Sequence, residues 1–373
     1  MPTAVKARSP LPAMHPECRY VIVVPVHHEE WQRLTRQLSS LQQQDGIRRE
    51  QFEVIYVINN SPGCSNEVRN HNQRAMHTLR VTRELGQVNV HLIDASSRGL
   101  EIPDCNVGKA RDLGVREACS RFEGIGRDGW IINTDADCHF DDPAYFRKLS
   151  TLISEYPDAV AFNGGLEYEF SPDLKDRSPD LFQRMYRMRL RIGWHRLAEA
   201  IASGRTRQDY RSRMKMSGAH MIAPVSSIRA IGGMPQIAAG EDHAFYNKLS
   251  TLAENLGKPL PYIRHLLTVV TAARLSERTP ESMAAVVRSM KMNQPFRASD
   301  LMPLLQDSSD HNSKVEVTYA EYRRVLDALS GLPGAEETEQ ELNLLFGRLD
   351  RHMRRLKKQS ANVFAGALAA AQN

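Results

Sequence analysis

Short apolar runs alternate with longer amphipathic stretches through the first 146 residues. Tyr20–Val26, Phe52–Ile58, Asn89–Ile93 and Trp130–Ile132 are rich in Val and Ile and of strand length. Between them Glu29–Gln44, Asn66–Leu85 and Asn106–Ser120 repeat their apolar positions at helical spacing. Continuous apolar strands separated by helices predict a parallel sheet covered on both faces. In such a sheet ligands sit outside the carboxyl ends of the strands, so the polar residues after each strand are where chemistry is sought. The second half is less regular. It predicts strands over Ala159–Phe162, Met216–Ala223 and Tyr262–Thr271, and helices over Pro179–Ala202, Ser226–Ile231 and Glu241–Leu256. From Ser313 the pattern is mostly helical, with a polar break at Ser330–Glu336.

The 373 residues, 41% hydrophobic and 25% charged, exclude a disordered or fibrous chain. No apolar run approaches the roughly 20 residues that span a bilayer, and residues 1–18 lack the apolar centre of a secretory signal and read as a loose tail. Cys18, Cys64, Cys105, Cys119 and Cys138 are odd in number and never spaced as CxxC. That argues against a disulfide framework or a cysteine zinc site and fits a reducing cytoplasm. The net charge of +5 says little, but its distribution says more. Between Arg184 and Lys215 ten basic residues face two acidic ones, interleaved with Met185, Tyr186, Leu190, Ile192 and Trp194. Such a stretch suits either a solvated helix with snorkelling arginines or a basic amphipathic helix against an anionic acceptor, a phospholipid surface or a partner. No nucleic-acid module is recognisable.

Three constellations carry chemistry. Asn133-Thr-Asp135-Ala-Asp137-Cys138 follows the Trp130 strand, and two carboxylates one residue apart at a strand end can reach one divalent cation. Gly240-Glu241-Asp242-His243 opens a helix, where a carboxylate could accept a proton from an attacking hydroxyl or simply complement the helix dipole. Asn106-Val-Gly108-Lys109-Ala-Arg111-Asp-Leu-Gly114 opens another, with Lys109 or Arg111 able to contact a nucleotide or phosphate. The run His27-His28-Glu29-Glu30 offers four ligand types, but adjacent residues seldom converge on one ion. It therefore reads as a nucleotide-contacting loop more readily than as a second metal site.

Taken in order, these segments resemble the inverting GT-A glycosyltransferases of family 2, over about residues 19–280. Val21-Ile-Val-Val-Pro25 through Glu30 is similar to that family's first strand. Asn59-Asn60-Ser61 falls where the family has Asp-Asp-Gly-Ser, and Asp135-Ala-Asp137 is similar to its D-x-D. Ser217-Gly218-Ala-His, Ile231-Gly-Gly-Met and Gly240-Glu241-Asp242 resemble its acceptor-side pattern, and Val269 through Arg274 to Arg278 a segment of bacterial members. Asn59 stands where an acid is common, and His27-His28 where Tyr-Asn is usual.

The resemblance implies a Rossmann-like GT-A sheet with helices on both faces. It implies a glycosyltransferase domain over 19–280 (nucleotide half 19–146, acceptor half 147–280), with a helical extension over 281–373. Pro25, His27, Glu29, Asn59, Lys109, Arg111 and Asp135 would contact the donor, a UDP- or GDP-linked sugar. Asp135 and Asp137 would hold Mn²⁺ or Mg²⁺, with His265 or His243 as a further ligand. Asp242 would be the general base with Glu241 beside it, and Ser217, Gly218, Arg274 and Arg278 would lie on the side of a hydroxyl acceptor, anionic or lipid-linked. Peripheral contact with the inner face of a membrane and a homodimer are left open. Two rivals stand beside this reading: a module that binds nucleotide sugar without catalysis, and a D-x-D phosphohydrolase of the haloacid dehalogenase type. The latter expects Thr or Val two places after the second Asp and the motif on its first strand; here Cys138-His139 follows on a late one.

Overall fold

The computed structural model describes residues 11–86, 88–170, 218–238, 240–261, 263 and 266–273. The chain divides into two compact units, Met1–Glu169 with Ser212–Ala272, and Phe170–Arg211 with Ala273–Asn373. The main sheet and its covering helices lie in the first. The helices expected over Pro179–Ala202 and beyond Ser313, the basic stretch from Arg184 to Lys215, and Ser217, His265, Arg274 and Arg278 lie outside the described residues.

The chain runs β1 (Tyr20–Val26), α1 (Trp31–Gln42), β2 (Phe52–Asn59), α2 (Asn66–Leu85), β3 (Val90–Ala95), α3 (Val107–Gly124), β4 (Trp130–Thr134), β5 (Cys138–His139) and α4 (Tyr145–Glu155). It continues as β6 (Phe162–Asn163), β7 (Gly165–Phe170), β8 (His220–Pro224), α5 (Val225–Ala230), α6 (Glu241–Leu256) and β9 (Thr268–Ala273). The main sheet has the order β3-β2-β1-β4-β8-β6, and a small second sheet the order β5-β9-β7. Strands β1 to β4 are mutually parallel, as the sequence predicts, but β8 runs antiparallel to both β4 and β6. The fold class is α/β, a parallel-rich Rossmann-like sheet between helices.

Strand periodicity explains why both faces are covered. Alternate side chains point to opposite sides of a strand. Tyr20, Ile22, Val24 and Val26 accordingly join a core with Leu34, Leu38 and Leu41 of α1, Ala75 and Leu79 of α2, and Phe146 and Leu149 of α4. Val21 and Val23 join a second core with Ala110, Val115 and Phe122 of α3, Ile228 of α5, and Phe245 and Leu249 of α6. Within residues 1–18, expected as loose tail, Met14 and Cys18 are buried in this second core with Leu11 packed against it, and Arg121 donates to the Pro12 carbonyl at 2.7 Å.

Two details of topology shape this end of the sheet. The strand order reverses between β1 and β4, the kind of switch point at which open α/β sheets bind ligands. The β1–β4 pairing covers Tyr20–Val23 and ends at Val23↔Asn133, so Pro25 lies past it, where its missing N–H removes no ladder bond on that side. The antiparallel direction of β8 also matters. Its first residue, His220, pairs with Thr134 at the last of β4, which brings residues 218–219 to the edge where Asp135 begins. A parallel β8 would carry them to the opposite end.

Gly108, on the first turn of α3, faces loop backbone. A Cβ there would lie 2.4 Å from the Pro235 carbonyl oxygen and 2.7 Å from that of Ile237. Gly108→Ala is expected to destabilise the chain by about 1–3 kcal/mol through this overpacking, read as a lower denaturation midpoint at unchanged slope.

Candidate functional site

Asp135 and Asp137 occupy the turn that follows β4. The turn is pinned from α1: the Gln37 side chain donates to the Asp135 carbonyl at 3.0 Å and itself accepts from the Tyr56 hydroxyl at 2.9 Å. Gln44 donates to the carbonyls of Phe140 and Asp142 at 3.2 and 3.1 Å, and Ser40 accepts from the Phe140 N–H at 2.9 Å. Nothing in the sequence pattern singles out the fully buried Gln37, because it sits on the apolar face of an amphipathic helix, where periodicity marks only packing.

Arg111 organises the rest. Its side chain is 2% exposed, and its two terminal nitrogens go to different motifs. One pairs with the Asp135 carboxylate, and the other donates to the Glu241 carboxylate at 2.8 Å. Burial lowers the guanidinium's affinity for its proton, but the charges of Asp135, Glu241 and Asp242 outweigh this and hold it above the usual arginine value. Arg111, expected at the nucleotide, bridges in this structure from the turn after β4 to the start of α6. Glu241, expected beside the base, is the other abutment. Its carboxyl is 7% exposed and lies above the ordinary carboxylate range because of burial, which Arg111 opposes and Asp242 reinforces.

Asp242 points elsewhere. One carboxylate oxygen accepts the Gly218 N–H at 2.9 Å and the other the N–H of His243 at 2.8 Å, so backbone donors fix its orientation at the first turn of α6. Gly218 is required by this packing: a Cβ there would fall 2.4 Å from Nη1 of Arg111. Sequence spacing alone separates residues 111, 135, 218 and 241–242; the fold brings them together. His243, one of the further metal ligands considered, contributes its backbone to Asp242 and is exposed.

The residues expected at the nucleotide form a second group around the ends of β1 and β2. His27 Nδ1 donates to the Asn59 carbonyl at 3.0 Å. The Asn59 amide donates to the carbonyls of Val26 and Val57 at 2.9 and 3.0 Å, and its oxygen accepts from the Cys105 thiol at 3.2 Å. Asn59 is 3% exposed, so its side chain knits the two strand ends together. Asn72 of α2 completes the group: its amide donates to the Asn59 carbonyl at 3.0 Å and to the Asn60 side chain at 2.8 Å, and its oxygen accepts the His28 N–H at 3.0 Å. Glu29 is buried, with one oxygen accepting the Glu30 N–H at 3.0 Å. Lys109 lies apart, its ammonium on the Pro103 carbonyl at 2.9 Å.

The first group suits a hard divalent cation. Ligand atoms of Asp135, Asp137 and Cys138 lie within 4.8 Å of one another. Burial, with the two aspartates beside it, pushes the Cys138 thiol well up, and hard cations prefer the aspartate oxygens to sulfur. Asp135, Glu241 and Asp242 act on the Arg111 guanidinium and Asp137 lies beside Asp135, a concentration of carboxylates of the kind that suits a divalent ion.

No protein family's sequence profile matches the chain, and no curated protein matches it. Among solved structures, those similar to it include glycosyltransferases. One is a mannosyltransferase from Pyrobaculum calidifontis in complex with GDP-Man and Mn²⁺, 14% identical over 97% of this chain and 90% of that one, with a TM-score of 0.43. Others are TarS 1–349 of S. aureus (12% identical, 93% and 92% covered, TM-score 0.41) and GalNAc-T7 with UDP, GalNAc and Mn²⁺ (12% identical, 88% of this chain, TM-score 0.44). This chain spans 54% of the last.

Proposed function

We propose that this chain is a metal-dependent, inverting glycosyltransferase of the hexosyltransferase class, moving a sugar from a UDP- or GDP-linked donor to a hydroxyl acceptor. The observation that carries the reading is the single cluster in which Arg111 ties the acidic pair after β4 to the acidic pair that opens α6, at the switch point of the sheet. Asp137 and Asp135 would hold Mn²⁺ or Mg²⁺. When bound, the ion supplies positive charge against the departing diphosphate. Asp242, oriented by two backbone N–H groups, accepts the proton of the acceptor hydroxyl. The freed oxygen forms its bond to the anomeric carbon as the bond from that carbon to the diphosphate oxygen breaks, and the electron pair leaves with the diphosphate. Inversion requires base and leaving group on opposite faces of the sugar, a positioning task shared by the turn after β4 and the first turn of α6. Ser217, Arg274 and Arg278 remain proposed acceptor-side residues, and His265 a proposed further ligand. The basic stretch from Arg184 to Lys215 supports an anionic or lipid-linked acceptor, with the protein cytoplasmic and peripheral at the membrane's inner face. Among the described residues no helix is long and apolar enough to cross a membrane.

Thermal unfolding with a panel of UDP- and GDP-sugars, with and without Mn²⁺, tests the reading. A matching donor at a hundredfold its Kd is expected to stabilise the chain by about 2.7 kcal/mol in Mn²⁺ and far less in chelator. Stabilisation by no donor, or equally without metal, counts against it.

A further inference from the structure

His28, Glu67 and His71 lie in a cluster that the transfer chemistry does not use. His28 sits in the loop after β1, while Glu67 and His71 are one turn apart on α2, so both project from one face of that helix. His28 Nε2 is 3.4 Å from a Glu67 carboxylate oxygen, and the two imidazole rings meet edge-on with centroids 4.4 Å apart. Ligand atoms of all three residues lie within 4.8 Å of one another.

Two further observations make this more than a chance meeting of side chains. His71 Nδ1 donates to the backbone carbonyl of Glu67 at 3.0 Å, which fixes the tautomer and turns the Nε2 lone pair outward, the arrangement that supports ligating histidines. His28 holds a left-handed backbone with φ of 52°, rare for a residue with a side chain, and its N–H is anchored on Asn72 of the same helix. Strain of this kind persists where the surroundings over-determine it and clusters at ligand sites.

We infer that His28, Glu67 and His71 form a zinc site, separate from the oxygen-donor pair Asp135 and Asp137. Two imidazoles and one carboxylate suit a borderline cation such as Zn²⁺, whereas the aspartate pair suits Mn²⁺ or Mg²⁺. Zinc bonds of about 2.0–2.1 Å set neighbouring ligands of a tetrahedron about 3.3 Å apart, a contraction that rotation of the exposed Glu67 and half-buried histidine side chains supplies. Three protein ligands leave a fourth position for water. The adjacency of His28 and His27 in the run His27-His28-Glu29-Glu30 does not build the site; the partners come from α2. Bound zinc clamps the β1–α1 loop to α2, and through Asn72 to the strand end that His27 and Asn59 share.

The test uses the full, untagged chain stripped of metal, titrated with Zn²⁺ by calorimetry and with Co²⁺ by visible spectroscopy. One equivalent of zinc and the intense bands of tetrahedral Co²⁺ are expected. His28→Gln and His71→Ala are each expected to weaken zinc by at least about 100-fold while leaving the metal-free unfolding temperature unchanged. Asp137→Ala is expected to bind zinc as the parent does. Zinc affinity within about threefold of the parent in both histidine variants, or its loss in Asp137→Ala, overturns the assignment. Because the readout is zinc binding, failure of the proposed transferase activity leaves this result untouched.

Discussion

Asp137→Ala is expected to lower metal-dependent turnover of the nucleotide-sugar donor by at least about a thousandfold, about 4 kcal/mol of transition-state stabilisation. The unfolding temperature in the absence of metal should stay close to that of the parent. Asp137 lies in the turn after β4, outside both cores, while the turn is held by Gln37 through the Asp135 carbonyl and the stretch after β5 by Gln44, backbone bonds that the substitution does not touch. Steady-state kinetics in saturating Mn²⁺, paired with circular dichroism, separates lost chemistry from lost structure. Full turnover in the variant ends the proposal. Asp135 is the less clean position for this test, because removing its carboxylate also takes a counterion from buried Arg111 and leaves Glu241 as a remaining anchor.

The second large effect belongs to Asp242→Asn. Transfer to acceptor is expected to fall by about 10² to 10⁴, the usual weight of a general base, while donor binding by calorimetry stays within a few-fold. Asparagine keeps an oxygen for one of the two N–H groups, Gly218 or His243, that orient the aspartate, so the loss isolates proton acceptance from positioning. Undiminished transfer moves the base elsewhere or points to a retaining mechanism.

Much of the fold is legible in the residues. Helices α2 and α6 have the expected bounds because their ends are written locally: Ser65 accepts the Val68 N–H, and Gly86 and Gly257 take the left-handed conformation that ends each helix. The parallel strands β1 to β4 follow from short, mostly apolar runs. The direction of β8 does not, since an apolar strand reads the same both ways and its pairing with β4 is a tertiary choice. Strand β5, two residues long, exists through its pairing with β9. Helix α4 is not among the expected elements, although Tyr145, Phe146, Leu149 and Leu152 repeat at helical spacing and do announce it. For the site, the types of residue can be named but not their partners. Nothing in one dimension reveals that carboxylates 24 and 130 positions away close upon Arg111.

That shared guanidinium has an evolutionary corollary. A cation spoken for by the turn after β4 and the start of α6 makes them co-dependent: replacing residue 111 leaves two carboxylates without their common partner, and replacing 135 or 241 alone removes one of its two counterions, whereas joint replacement need not cost as much. Across related chains, these three positions should drift in concert or stand still together.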